Sequence, residues 1–269
     1  MKDWTIVIPS YNRVETLKNK TLALLQKHKI PKERIHVIVA DEDQAELYKA
    51  GVGDDVGKIV VGVKGLVAVR NWIFQNYPLG APLISFDDDV KGFIEYDARA
   101  RRHERPLRDL AGMFDRGFAE CKKAVSPTGT KARFWGAYPS ANGFFMKPGV
   151  TTDLRFIIGS FWGCFNPGKE IQVPIGGGEK EDYQRTLLFW EADGVVVRLS
   201  DVAVQTATYG TPGGLQDGNR LARERKTVKA MLKRWPTLLA PNPRRKSGYP
   251  EVRLVLPSSG KQTRRLKRG

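Results

Sequence analysis

The sequence predicts an α/β fold with a mostly parallel central sheet flanked by helices, carrying a basic C-terminal extension. Three observations predict it. Short apolar runs at 5–8, 35–40, 58–63 and 83–86 read as buried strands, and helical periodicity separates them. The last of these runs stops at Asp87, Asp88 and Asp89, so a buried strand ends in three carboxylates. The charge is also lopsided: residues 220–269 hold 16 basic and 2 acidic side chains, which places +14 of the formal +16 in the last fifth of the chain.

The elements follow in order. Thr5 to Ile8 is a strand stopped by Pro9-Ser10-Tyr11-Asn12-Arg13, after which Leu17, Thr21, Leu24 and Leu25 recur at helical spacing. Ile35 to Ala40 gives a second strand ending at Asp41, and Lys58 to Val63 a third before the Gly65 turn. Leu66 to Phe74 reads as the helix that leads into the acid-bearing strand, completing a βαβαβ series whose carboxyl-end loops are where ligands bind. Arg99 to Arg108 carries five arginines in ten residues, a surface stretch, before Leu110, Met113, Phe114 and Phe118 mark the apolar face of a helix. Aromatic residues crowd 133–166, which reads chiefly as sheet covering one face of the core.

Farther on, Gly176-Gly-Gly178 delivers Glu179 to Asp182 to a helix continuing through Tyr183, Leu187, Leu188 and Trp190. Val195 to Leu199 is a further strand, and Gly210 to Gly214 a loop able to close over a ligand or simply to turn the chain. A basic helix spans 220–235, and the chain beyond Pro236 is Pro-rich, basic and expected to be only partly ordered. The expected organisation is a catalytic body at 1–219 and a nucleic-acid-binding extension at 220–269.

At 269 residues and 41% hydrophobic content the chain can bury an enzyme-sized core. Cys121 and Cys164 supply no disulfide framework or close-spaced metal motif. The sequence has no apolar run of about 20 residues of the kind that spans a bilayer. A monomer in the cytoplasm, away from membranes, is the simplest expectation, and the basic excess fits nucleic acid better than a membrane surface.

Three adjacent carboxylates repel one another unless protons, arginines or a metal offset them. Hard oxygen ligands suit Mg2+ or Mn2+ rather than zinc. On an ideal strand Asp87 and Asp89 share a face that Asp88 does not, whereas a strand already ended would let Asp88 contribute. Arg70, on the helix before the acids, either faces solvent or offsets their repulsion.

This arrangement resembles the nucleotide-sugar glycosyltransferases of the GT-A fold. The matching residues are Ile8-Pro-Ser-Tyr-Asn-Arg13 after the first strand, Gly65 and Arg70-Asn71 before the acidic strand, Ile84-Ser-Phe-Asp-Asp-Asp89, and Glu181-Asp182 at a later helix start, over about residues 4–205. The resemblance implies a UDP-sugar donor such as UDP-glucose, held by Pro9, Tyr11, Asn12, Arg13, Asp41, Gly65, Arg70, Asp87 and Asp88. It also implies a divalent ion on Asp87 and Asp89. The late metal ligand of the family is not supplied by His28, His36 or His103, all of which lie early, so Asp201, Gln205 or water takes that place. Tyr11 is suited to stacking on the donor base or to filling the sheet edge, and Arg13 to the donor or to its own loop.

An attacking hydroxyl needs a carboxylate within about 3 Å to take its proton. The resemblance makes Asp182 the first candidate and Glu181 the second, while both also suit helix capping. A base there implies inversion at the anomeric carbon, whereas a retaining mechanism, the alternative, needs no such base. With the basic end included, the chain resembles the glucosyltransferases proposed for hydroxymethyl-pyrimidine DNA, from phages and beside base-hydroxylating dioxygenases. That implies 5-hydroxymethylcytosine or 5-hydroxymethyluracil in duplex DNA as acceptor, with Trp135, Tyr138, Phe161 and Trp162 as candidates to stack on the base and Arg99 to Arg108 as a second DNA patch near the catalytic mouth. The rivals are a saccharide or protein acceptor, and an inactive fold that only binds nucleic acid.

Overall fold

Ile6, Val7 and Ile8 are fully buried because β1 (Thr5–Pro9) runs between two other strands with both faces covered, which is what an unbroken apolar run without alternation requires. The structure, a computed structural model, describes residues 3–174, 179–206, 219–245 and 247–256. The expected glycine loops at 176–178 and 210–214 and the last residues of the basic tail lie outside them.

After β1 the chain turns into α1 (Val14–Leu17), which passes through a π-helical turn at Lys18–Leu22 into α2 (Ala23–Lys27). Then come β2 (Ile35–Val39), α3 (Glu42–Val52), β3 (Lys58–Val61), α4 (Leu66–Asn76) and β4 (Pro82–Phe86). The four strands pair in parallel in the order β3-β2-β1-β4. Their carboxyl ends therefore gather along one rim.

The rest of the sheet is built from β5 (Val90–Tyr96), β6 (Glu104–Pro106), α5 (Leu110–Lys123), β7 (Phe134–Tyr138), β8 (Val150–Thr151), β9 (Phe161–Phe165), α6 (Glu181–Asp193) and β10 (Val197–Thr206). It continues the order as β4-β9-β7-β10-β5-β6, with β8 on β10. Seven strands (β1 to β4, β6, β7 and β10) run one way and three (β5, β8 and β9) the other. β10 runs on past Leu199 because Val202, Ala203 and Val204 stay buried and pair with β5.

Trp135, Phe161 and Trp162 are buried in the two large cores. As candidates to stack on an acceptor base they are corrected: inward-facing positions of β7 and β9 leave them no route to a ligand. Tyr138 is half-buried, with the Arg198 guanidinium 4.9 Å from its ring centroid.

The basic helix α7 (Arg220–Arg234) is followed by the hairpin β11 (Leu239–Pro241) and β12 (Val252–Leu254). Val228, Met231 and Trp235 pack with Leu239 and Val252 against Leu187 of α6 and Leu154. Of the segment beyond Pro236, the described part is held in place because Leu239 and Val252 complete an apolar cluster. No described helix is long and apolar enough to cross a membrane.

Candidate active site

β4 ends at Phe86, and the next backbone amide, that of Asp87, still donates to the Ser160 carbonyl at 2.9 Å. Asp88 and Asp89 then form a turn into β5. Thr21, in the π-helical turn, clamps it: its hydroxyl donates to the Asp87 carbonyl at 2.7 Å and accepts from the Val90 amide at 3.0 Å. A single-turn widening of this kind re-aims one side chain, and here that side chain holds the acidic turn.

The turn parts the three carboxylates. Asp87 and Asp89 keep 33% and 23% of their side-chain surface open. Asp88 is buried, accepting from the Ser10 hydroxyl at 2.7 Å and pairing with Arg13 at 2.8 Å. Ser10 is in turn bonded to the Tyr48 hydroxyl at 2.6 Å, which accepts from the Arg13 amide at 3.1 Å. As a donor contact Asp88 is therefore corrected: its carboxylate braces Arg13 and the loop after β1. Pro9 is corrected likewise, since it is buried in β1 in register with Ile38.

Behind Asp87 stands Arg70. Its guanidinium pairs with Asp87 at 2.5 Å, donates to the Gly159 carbonyl at 2.8 Å and pairs with Glu181. The other Glu181 oxygen is taken by Arg185, which lies 4.7 Å from the Trp162 ring centroid. As a base Glu181 is corrected: it is buried with both oxygens on arginines, so it orients Arg70 and takes no proton from a substrate. Asp182, on the next position of α6, is half-buried and accepts only the Tyr183 amide, at 2.9 Å, among the described residues. Beside it Phe156 and Tyr183 stack with centroids 4.3 Å apart.

Gly159 lets these parts meet. A Cβ there would lie 2.9 Å from a Glu181 carboxylate oxygen and 3.4 Å from both an Arg70 nitrogen and the Asp182 Cβ. Asn71 is structural: its side-chain amide bonds both backbone groups of Val173, at 2.7 and 3.0 Å.

The charges do not balance. Five carboxyl groups (Asp87, Asp88, Asp89, Glu181 and Asp182) face three guanidiniums (Arg13, Arg70 and Arg185), and Lys180 is engaged by Glu224 and Glu251. The shortfall is that of one divalent cation. Burial, chiefly, pushes Asp87 up to about 7 even though part of it reaches solvent, and Asp89 and Asp88 push the same way. Burial raises Asp88 to about 6 against the pull of Ser10 and Arg13. Burial, then neighbouring Glu181, raises Asp182 to about 6.

The residues present fit a hard cation. Among the described residues no third His, Cys, Asp or Glu completes a ligand cluster, and Mg2+-like ions are commonly held by one or two carboxylates plus substrate phosphates and water. Asp87 and Asp89, the two carboxylates of the turn left partly open, would be that pair. Asp201, expected as a late ligand, is corrected: it pairs with Arg116 of α5 at 2.8 Å. The β5–β10 register sets Thr206 opposite Val90, so Gln205 and not Asp201 lies at the acidic end of β10.

The residues expected to hold the donor lie along the rim of β1 to β3. Tyr11 is 39% exposed, with the Lys64 ammonium 5.0 Å from its ring centroid. Asn12 holds a left-handed φ of 54°, fixed by two bonds with Gln44 at 2.9 and 2.7 Å. Asp41 caps α3 through the Gln44 amide at 3.0 Å, and Gly65, at φ 103°, starts α4 from a conformation few other residues adopt. Sequence reasoning missed Ser10, Thr21, Gln44, Tyr48, Lys64, Gly159 and Arg185. Only Gln44 and Tyr48 gave a signal, being polar-tipped residues four apart on the inner face of one helix.

Residues 4–118, less than half of the chain, match the family described as TET-Associated Glycosyltransferase. No curated protein matches the sequence. Among solved structures, S. aureus TarS 1-349 is similar at TM-score 0.53 and 13% identity, over 86% of this chain and 65% of that one, and its complex with UDP at 0.51, 14%, 86% and 65%. The mannosyltransferase PcManGT from Pyrobaculum calidifontis, in complex with GDP-Man and Mn2+, gives 0.52 and 14% over 87% and 64%. The chain thus spans just under two thirds of each of these structures. With its parallel βαβ half, acidic turn and facing α6, the chain is built on the GT-A fold of the nucleotide-sugar glycosyltransferases.

Proposed function

We propose that the chain transfers glucose or a related hexose from a UDP-sugar to the hydroxymethyl group of 5-hydroxymethylcytosine or 5-hydroxymethyluracil in DNA. The observation that carries the glycosyl-transfer reading is the pairing of an open carboxylate couple, Asp87 and Asp89, with half-buried Asp182 across the Arg70–Gly159 bridge. The acceptor reading is supported by the TET-associated description of the matched family, since a hydroxylated base is an alcohol, and by the basic C-terminal fifth.

In this mechanism Tyr11 and the Asn12 turn bind the nucleotide, and Asp87 and Asp89 would hold Mn2+ or Mg2+. The ion supplies neutralisation of the leaving diphosphate. Arg70 keeps Asp87 aimed at the donor and is itself aligned by Glu181. Asp182 takes the proton of the attacking hydroxyl while its oxygen forms the bond to the anomeric carbon, and the bond to the UDP oxygen breaks on the opposite face, inverting the centre.

The test is incubation with Mn2+, a panel of UDP-sugars, and DNA bearing 5-hydroxymethylcytosine, 5-hydroxymethyluracil or neither, followed by mass measurement of the digested nucleosides. A hexose gained by one hydroxymethyl nucleoside alone is the expected result. Release of UDP with no nucleoside gain overturns the DNA acceptor and moves the search to saccharide or protein.

A further inference from the structure

We propose that the β5–β6 hairpin tip and the 142–147 loop together form a second DNA-binding surface, remote from the catalytic acids, in which arginines take phosphates and Phe144 and Phe145 contact bases. This rests on the reading of DNA as acceptor.

The surface is built from two segments locked together. Tyr96 pairs with Glu104 across the hairpin, and a Glu104 carboxylate oxygen accepts the Gly143 amide at 2.7 Å. A Cβ on Gly143 would lie 2.2 Å from the Arg102 carbonyl, so the loop lies against the hairpin backbone itself. His103 stacks on Tyr96 and meets Phe144 edge-on at 5.3 Å. Met146 closes the underside in a small core with Ile94 and Ala203.

On this rigid base the two adjacent phenylalanines stand open, 63% and 62% exposed. Arg99, Arg101, Arg102, Arg105 and Lys147 are exposed on the same two segments. Arg105 is partly neutralised by Glu95 at 2.9 Å and Arg102 by Glu104 at 3.5 Å, while Arg99 and Arg101 have no ion pair among the described residues; Arg108 lies back along the hairpin, after Leu107, whose amide bonds the Phe93 carbonyl. Exposed aromatic faces inside a cationic rim are the chemistry that holds nucleic acid, rings against bases and guanidiniums against phosphates. A membrane surface would draw on an amphipathic helix, which this ribbon does not provide.

The position corrects the expectation that these arginines flank the catalytic mouth. β5 leaves the acids at Val90 and runs seven residues to Tyr96, away from them. At about 3.3 Å per residue the hairpin tip stands ~20 Å from Asp89. That is about six base pairs along a duplex at 3.4 Å each, so the surface would grip DNA beside the target base and leave that base free.

The test measures binding of the full chain to an unmodified duplex by fluorescence anisotropy across salt, without donor. The parent is compared with Arg99→Ala/Arg101→Ala and Phe144→Ser/Phe145→Ser, all at exposed positions. The arginine pair should lower the slope of log K against log salt by about 2. The phenylalanine pair should weaken binding at least fivefold at fixed salt with an unchanged slope. Affinity and slope equal to the parent in both variants overturn the proposal, as does failure of the parent to bind DNA. Loss of binding to phosphatidylserine vesicles with DNA affinity kept would assign the surface to a membrane instead. Absence of sugar transfer alongside these DNA effects would remove the functional reading and leave the surface standing.

Discussion

Lys180, the residue before the two acids of α6, reaches into the basic helix: its ammonium lies 3.5 Å from Glu224 of α7, which is 2% exposed, and 3.4 Å from Glu251. Lys180 also holds a left-handed φ of 66° at the start of α6, a conformation that costs a non-glycine residue energy unless its surroundings enforce it. Arg223 of α7 adds a pair with Glu179 at 2.6 Å. The C-terminal helix therefore holds the entry to the helix that carries Asp182.

Glu224→Ala should destabilise the chain by about 1 to 2 kcal/mol, because it leaves half-buried Lys180 with Glu251 alone and removes the ion-pair partner of Arg220. Chemical denaturation measures the loss. Turnover should fall by more than the donor KM rises, since the change is felt at Asp182 and not at the Tyr11 rim. A denaturation midpoint equal to the parent would mean that α7 is only a passenger.

Asp182→Asn should lower kcat by 10²- to 10⁴-fold with the fold intact, the usual range for a lost general base. The pH profile gives the sharper check. Burial moves this carboxyl from 3.8 up to about 6, and the base acts ionised, so with metal saturating kcat/KM should rise with pH through about 6. The stability sign is opposite. The folded state holds this proton more tightly than the unfolded chain, so the Asp182 contribution is full below about pH 4 and is lost as pH rises toward 6. A profile flat from pH 5 to 8 would remove Asp182 from the role.

Asp89→Ala should abolish metal-stimulated transfer and leave DNA retention within about twofold, because the lost side chain is 23% open beside Asp87 and its one ion pair among the described residues is a long one to Arg13, 3.5 Å. Retention is read by anisotropy and transfer by nucleoside mass. Normal turnover with lost DNA binding would reverse the assignment.

What could be read beforehand follows from range. The strands at 5–8 and 83–86 and the acids that close the second are local patterns, and so is Arg70 in the second turn of its helix. The bond from the Asp87 amide to Ser160 and that from Arg70 to Gly159 join segments far apart in the chain, and a glycine gives no local sign that a carboxylate, its arginine partner and the Asp182 Cβ will crowd it. Glu181 and Asp182 are adjacent and chemically alike, so only the helix phase decides which faces Arg70 and Arg185. Trp135 and Trp162 mislead for a related reason, since aromatic content does not say that both faces of the sheet are covered by core.

Arg70→Met should destabilise by about 3 to 5 kcal/mol, since Asp87 and Glu181 lose a shared, fully buried guanidinium and Arg185 alone remains on Glu181. Added Mn2+ should recover part of this through Asp87, seen as a larger metal-induced rise in Tm for the variant than for the parent. An equal rise in both would show that the Arg70 charge and the metal do not share Asp87.

Truncation separates the two halves of the basic end. Deleting 236–269 removes Leu239 and Val252 from the cluster under α7, so it should expose Trp235 and Met231 and lower stability as well as DNA binding. Deleting only 257–269 spares that cluster yet removes Lys261, Arg264, Arg265, Lys267 and Arg268. Its Tm should match the parent while the salt slope of DNA binding falls, by at most about 4.5 if all five cations meet phosphates at 0.9 each. An unchanged slope would place the polyanion contact on α7 and the hairpin alone; a lowered Tm would show that these last residues also brace the fold.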